Sequence, residues 1–384
     1  MLNHYDLKLV EPDFGSELTD LIIELDYLRK KELGGSTHPT VFFQLKRIFH
    51  TLESIGSARI EGNKTTIAEY IETKLDDKPS QREEIREIRN IENAMTFIEE
   101  SVDEYSINRI FISEIHKMIV KGLTAPPKGE GDISPGDYRE SNVRIAKSSH
   151  KPPDWTRVSD YMRELFEFIQ EGNESKYNLL KTAIAHHRFV WIHPFGNGNG
   201  RTVRLLTYAM LVKLGFNVNV GRILNPAAVF CSNRDDYYAY LSRADSGNKG
   251  DVLDWCKYVL AGLKEEIEKI DKLLNYEFLR KEILIPAINF SSDRKLVTPM
   301  ESKILKRVID HQRIKAGDLK DIFPGKLSAE VSRQIKKLID RKMLMPEQEG
   351  KRSYIIRFDN NYLIRGIIWA LDQKEFLPVR DEVE

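Results

Sequence analysis

Apolar residues in this chain recur mostly at helical intervals. Phe42, Leu45, Ile48, Phe49, Leu52 and Ile55 are spaced by three and four, which predicts a helix with one apolar face. That helix runs into Ser57-Ala-Arg-Ile-Glu61-Gly62-Asn63, where Gly62 and Asn63 are stop signals. A charged stretch from about Gln81 to Glu100 carries Ile85, Ile88, Ile91, Met95 and Ile98 on one side. Ser106 reads as the N-cap of a helix bearing Ile107, Ile110, Phe111, Ile115, Met118 and Ile119. Further helices are predicted for Trp155 to Gln170, Leu179 to Ile192 and Thr202 to Leu214, the last closed by Gly215. Val252, Cys256, Val259, Leu263, Ile267, Ile270 and Leu274 describe a long amphipathic helix that leaves the core.

The helical pattern breaks in two places. Residues 122 to 154 hold four Pro/Gly clusters around Asn142-Val-Arg-Ile-Ala146, which alternates like a short strand. A long ordered loop with one small hairpin is expected there, and loops of that length in compact domains are usually functional or disordered. From about Asp293 a separate small domain begins. Short helices are predicted at Pro299 to Asp310 and Leu319 to Phe323, and a longer one at Ser328 to Arg341. A hairpin follows, from Met343-Leu-Met through a polar turn to Ser353-Tyr-Ile-Ile-Arg-Phe358. Three helices and a hairpin is the winged-helix order.

Composition narrows the class. The chain has 384 residues, too many for one ordinary core, and 41% are hydrophobic, as expected of a packed globular protein. Lys+Arg and Asp+Glu number 59 each, so net charge argues neither for nor against nucleic acid. No apolar run approaches the roughly 20 residues of a membrane span, and the start, MLNHYDLKLVEPDFG, lacks the regions of a signal peptide. With only Cys231 and Cys256, the expectation is a reduced, cytoplasmic protein without a disulfide framework.

One stretch concentrates chemistry: His193-Pro-Phe-Gly-Asn-Gly-Asn-Gly-Arg201-Thr-Val-Arg204. Pro194 disfavours helix at His193. Gly196, Gly198 and Gly200 let backbone amides point into a common hollow, and a new helix starts near Arg201. Amides at a helix N-terminus bind anions. Arg201 and Arg204 are three apart and reach one side of that first turn. The product is a phosphate cradle with two guanidinium groups and, at its rim, a histidine whose ordinary pKa near 6.5 suits a general base.

His193 to Arg201 resembles the Fic signature, His-Pro-Phe-x-(Asp/Asn)-Gly-Asn-Gly-Arg, and Arg204 matches its second arginine. The resemblance spans roughly residues 40 to 245. It implies an all-α Fic core with a small β-hairpin flap, ahead of the C-terminal winged-helix (α+β) domain. The implied divisions are an N-terminal helical region at 1–105, a catalytic core at 106–248, a connecting helix at 249–290 and the winged helix at 291–384. It further implies a protein adenylyltransferase that uses ATP and Mg²⁺ to place AMP on Ser, Thr or Tyr hydroxyls of targets and of itself. Carried across, His193 deprotonates the target hydroxyl and Phe195 anchors the loop. Asn197 binds the metal, more weakly than an Asp would. Gly198, Asn199 and Gly200 line the anion hole, and Arg201 and Arg204 hold the outer phosphates. The phosphotransferase branch of the family carries Lys where this chain has Gly200, so Gly200 favours AMP transfer.

The resemblance extends to three flanking segments. Gly136-Asp-Tyr-Arg139 with Asn142-Val-Arg-Ile145 resembles the family's flap, where a target segment would dock near Val143 to Ile145 by main-chain pairing. Asn233 and Tyr237, in Asn233-Arg-Asp-Asp-Tyr-Tyr238, resemble the segment bordering the adenine; Tyr237 and Tyr238 equally fit a helix core. Ser57-x-x-x-Glu61-Gly62 resembles the inhibitory motif (Ser/Thr)-x-x-x-Glu-(Gly/Asn). It implies that the Glu61 carboxylate occupies Arg204 in place of the γ-phosphate until a partner, self-modification or a changed oligomer such as a homodimer releases it. Two other readings stay open. The same residues would serve a hydrolase that removes AMP. Alternatively, the longer C-terminal helix, basic at Arg333, Lys336, Lys337, Arg341 and Lys342 but diluted by Glu330, Asp340 and Asp310, would make a DNA-binding regulator.

Overall fold

The computed structural model describes residues 6–30, 36–75, 80–145, 150–172, 175–216 and 223–377. They group into two compact units: residues 1–32, 50–66 and 80–267 in the first, and 33–49, 67–79 and 268–384 in the second. These units interleave along the chain, whereas the divisions expected at 105, 248 and 290 run consecutively.

The first unit is helical. It holds α1 (Glu17–Lys30), the C-terminal part of α2 (Pro39–Ile60), α4 (Glu83–Ser101), α5 (Arg109–Val120), α6 (Val158–Gln170), α7 (Asn178–Ile192), α8 (Asn199–Lys213), α9 (Pro226–Cys231), α10 (Arg234–Ala244) and most of α11 (Lys249–Asp271). Amphipathic α4, α5 and α6 face inward with Ile88, Ile91, Ile98, Ile112, Ile115, Met162 and Leu165. α7 and α8 differ, being buried almost all round, and they pack on each other as the centre of the unit. Such helices tolerate buried polar groups only with partners. Trp255 on α11 donates from Nε1 to the Ala183 carbonyl (2.7 Å), and His186 bridges Thr207 Oγ1 and the Tyr237 hydroxyl.

The expected helices form with shifted ends. α5 is capped by Asn108, whose side chain accepts the Phe111 N–H, and not by Ser106. α8 begins at Asn199, earlier than expected, because Gly198 adopts a left-handed conformation (φ 75°) at its N-cap. Asn142 to Ile145 form no strand; Ala146 lies outside the described residues. Local capping replaces the expected ladder. Asn142 Oδ1 accepts the Trp155 N–H (2.9 Å), its Nδ2 donates to Asp154 Oδ2, and Arg139 donates to the Ser141 carbonyl.

The second unit holds α3 (Ile67–Leu75), the first half of α2, and the C-terminal elements. α12 (Tyr276–Phe278) continues through a π-helical stretch, Leu279–Leu284, into α13 (Ile285–Asp293). α14 (Pro299–His311) starts with a capping box of Thr298 and Glu301. A short 3₁₀ turn (Ala316–Leu319), α15 (Ser328–Asp340), the antiparallel pair β1 (Leu344–Pro346) and β2 (Tyr354–Ile356), and α16 (Ile364–Gln373) follow. Ile314 bridges Tyr354, which adds an extended residue beside β2. Gln44, on the first half of α2, donates to the Ile356 carbonyl (3.0 Å) and accepts the Phe358 N–H (2.9 Å). No described helix is long and apolar enough to cross a membrane.

α13 and α16 meet at Gly366, where an added Cβ would lie 2.5 Å from the Ala287 carbonyl oxygen. Gly→Ala inside a helix ordinarily gains about 0.5–1 kcal/mol. Here the clash is with backbone, and overpacking costs about 1–3 kcal/mol. Gly366→Ala should therefore lower stability in denaturant titration; a stabilised variant would mean the two helices separate freely.

Candidate functional site

The loop joining α7 to α8 is held from several sides. His193 terminates α7 in a left-handed conformation (φ 53°) uncommon for a non-glycine residue, and its N–H still reaches the Phe189 carbonyl. Arg139 holds this end of the helix. Its guanidinium donates to the carbonyls of His193 (2.9 Å), Pro153 (2.6 Å) and Ile192, and its own N–H donates to Pro194. A cation on orphan carbonyls at a helix C-terminus is favourable. Phe195 is fully buried and stacks on His116, with centroids 3.8 Å apart and planes 2° from parallel. Asn199 accepts the Phe195 N–H and donates to the Phe195 carbonyl, both at 2.9 Å. Its side chain therefore closes the loop, leaving only its backbone to face the hollow it was expected to line.

Acidic side chains already occupy parts of that hollow. Asp132 accepts the N–H groups of Asn197 and Ser134, both at 2.8 Å. Asn197 donates from Nδ2 to the Gly131 carbonyl (3.1 Å) and to Glu130 Oε2 (3.4 Å). Arg201 donates to the Glu130 carbonyl (2.6 Å), and its NH1 approaches Glu87 Oε1 to 2.9 Å without aligning an N–H on it. Arg204 donates from Nε to Ser57 Oγ (2.8 Å), and from NH2 to the Ser57 carbonyl (2.9 Å) and Glu61 Oε1 (2.7 Å). Both arginines are buried. Arg201 Nε and NH1 and Arg204 NH1 make no aligned hydrogen bond among the described residues, although Arg201 NH1 is ion-paired with Glu87. Gly200 lies under the Glu61 carboxylate, and an added Cβ would sit 2.1 Å from Glu61 Oε1 and 3.1 Å from Arg204 NH1.

Ser57 and Glu61 project from the end of α2, whose residues from Thr51 to Ile60 are buried apart from Arg59. Polar contacts dock that segment in the first unit. His50 lies 3.0 Å from Glu99, which also accepts the Tyr208 hydroxyl. Thr51 donates to Glu92 (2.6 Å), and both Glu53 oxygens accept the Ala227 N–H at the start of α9. Burial pushes the Glu53 carboxyl up to about 8. Burial also disfavours ionised Glu61, but Arg204 and Arg201 outweigh it and hold its carboxyl below the usual range. For Glu87 burial wins over Arg201, and its carboxyl lies above the usual range.

The adenine-side candidates part company. Tyr237 is buried, with its hydroxyl 2.9 Å from His186 Nε2, so no ring face is free for stacking. Asn233 is the N-cap of α10, its amide committed to Asp236. Tyr238 is 42% exposed, under the Arg234 guanidinium at 5.5 Å. Sequence reasoning missed His116, Glu87, Glu130 and Asp132. Arg139 lies in the flap-like segment and Asn63 at the helix stop, but neither position in sequence reveals its contacts.

With this geometry in place, the chain can be compared with known proteins. The site is thus a buried helical pair joined by a glycine loop, with two buried arginines beneath it. Residues 106–211 match the Fic/DOC family. "Protein adenylyltransferase Fic" of Nematostella vectensis is 29% identical over 209 residues, covering 53% of this chain and 44% of that protein. The Aedes aegypti protein of the same name is 29% identical over 218 residues, covering 55% and 39%. The chain thus spans less than half the length of these relatives. Among solved structures, a Fic family protein from Desulfovibrio desulfuricans aligns over 92% of this chain and 98% of its own, with TM-score 0.56 and 19% identity. Fic-1 (residues 134–508) from C. elegans aligns over 66% and 71%, with TM-score 0.51 and 22% identity. These two likenesses bear on the fold.

Protein surrounds the His193 ring, although part of its surface stays open. Burial lowers its pKa to about 4, partly opposed by the Val190 carbonyl. A lowered imidazole pKa means the neutral form persists down to that pH. In an NMR titration of the ligand-free chain, the His193 ring signals should move near pH 4; movement near 6.5 would mean the ring is solvated.

Proposed function

We propose that this chain transfers AMP from ATP to a hydroxyl on a protein, and that Glu61 restrains it. One observation carries the reading: the Glu61 carboxylate lies on Arg204 above Gly200, beside buried guanidinium N–H groups that make no aligned hydrogen bond among the described residues. Those donors suit phosphate oxygens, and a carboxylate among them stands where a phosphate would bind. The relatives named adenylyltransferases point to the same chemistry.

In this reading, Arg201 and Arg204 hold the outer phosphates, and the N-terminal amides of α8 face the chain of phosphates. The target hydroxyl oxygen attacks the α-phosphorus and the bond to pyrophosphate breaks. His193, neutral at pH 7, takes the hydroxyl proton. Mg²⁺ takes hard oxygen donors, and the Asn197 amide oxygen would be the one this loop supplies, its Nδ2 being turned to the Gly131 carbonyl and Glu130. When bound, it would neutralise charge on the phosphates. The exposed ring of Tyr238 takes the base-stacking role that Tyr237 cannot. An extended target segment pairs along 142–145, which has no strand partner among the described residues.

The second unit acts as a winged helix: α14, the Ile314 bridge, the 3₁₀ turn, α15 and the β1–β2 wing follow in that order. Its basic helix is partly neutralised from within, since Arg341 and Lys337 both pair with Glu301 and Arg341 lies over Tyr362. That favours a protein contact over DNA.

Glu61→Gly should raise transfer of label from [α-³²P]ATP to the chain itself and to added cell extract. Competition worth about 1.5–3 kcal/mol, typical of hydrogen bonds to charged groups, predicts a rise of about 10- to 150-fold. Adding His193→Ala should remove the gain by about 10²- to 10⁴-fold while ATP still binds. Label from [γ-³²P]ATP instead would identify a phosphotransferase, and equal labelling by wild type and Glu61→Gly would remove Glu61 from control.

A further inference from the structure

Glu61 does not hold its position alone. α2 ends at Ile60, and the chain turns at Gly62, whose φ of 105° suits glycine. Asn63 then secures the turn with both ends of its amide and its backbone N–H. Its Nδ2 donates to Glu87 Oε2 (2.7 Å) and to the Glu84 carbonyl (3.0 Å). Its Oδ1 accepts the Thr65 N–H (2.9 Å), and its own N–H reaches the Ala58 carbonyl (3.2 Å). Glu87 is 3% exposed, and its other oxygen lies 2.9 Å from Arg201 NH1. One buried carboxylate on α4 therefore touches both the turn carrying Glu61 and the arginine beside the cradle.

We propose that Asn63 and Glu87 form a latch that sets how firmly Glu61 sits on Arg204 and couples that grip to Arg201. The inference rests on the reading of Glu61 as inhibitory. Asn63 is a positioning residue, for it touches neither arginine. With the latch closed, the turn after α2 is pinned to α4, and the Glu61 carboxylate stays over Gly200. When phosphate oxygens draw Arg201 to themselves, Glu87 exchanges its cation for other partners and the contact with Asn63 weakens. A contact that differs between the docked and released states shifts their populations by that difference, so ligand binding at Arg201 and release of Glu61 favour each other.

The test uses the full 384-residue chain. Asn63→Ala should raise labelling from [α-³²P]ATP about 10-fold, equivalent to about 1.4 kcal/mol of lost grip. It should also tighten Mg²⁺-ATP binding by a similar factor in calorimetry, since a competitor has been weakened. Damage to the fold alone would lower both readings. In a Glu61→Gly background, Asn63→Ala should add nothing, because residues acting through one contact are non-additive. Asn63→Asp, which sets a carboxylate against Glu87, is the second variant and should release Glu61 at least as much. If Glu61→Gly raises transfer while folded Asn63→Ala and Asn63→Asp do not, the latch is overturned and the inhibitory role of Glu61 stands. An equal gain from Asn63→Ala on top of Glu61→Gly also overturns it. If Glu61→Gly itself changes nothing, the inhibitory reading fails, and the latch with it.

Discussion

The buried guanidinium of Arg204 is the constraint around which the site is arranged. A cation in the interior needs hydrogen-bonding partners, or it destabilises the fold by several kcal/mol. The last turn of α2 supplies three: the Ser57 hydroxyl, the Ser57 carbonyl and the Glu61 carboxylate. Two of these are neutral and one is charged. In the proposed reading, the charged partner is the one that a phosphate would contest.

The rest of the first unit serves that contact. The docked part of α2 is buried on nearly every side and secured by Glu53, Thr51 and His50. α8 offers Arg201 and Arg204 from one turn because Gly198 starts the helix early. Phe195 and Asn199 fix the intervening loop from opposite directions, one by stacking on His116 and one by closing a ring of hydrogen bonds. Side chains that turn into the core thus fix the path of the loop backbone.

Much of this was legible from the residues in order. The loop from His193 to Arg204 is contiguous, so its glycines, arginines and preceding helix could be read together. Ser57 and Glu61 lie one turn apart on a strongly periodic helix, so their common direction followed. Glu87, Asp132 and His116 were not legible, because they meet the loop only through tertiary contacts from α4, α5 and the loop that follows α5. Tyr237 and Tyr238 are adjacent, and only packing against His186 decides which ring is buried. The Asn142 to Ile145 alternation misled because a period of two records a tendency to extend and not the presence of a neighbouring strand.

The space above Gly200 has an evolutionary consequence. A Cβ there would lie 2.1 Å from Glu61 Oε1 and 3.1 Å from Arg204 NH1, so a side chain could enter only by moving both. Under the proposed restraint, a substitution at Gly200 therefore alters the carboxylate and the guanidinium together. Changes at Glu61, in the turn after α2 or in the residues that brace it act on the carboxylate alone. The restraint can then diverge among descendants while the glycine loop stays fixed.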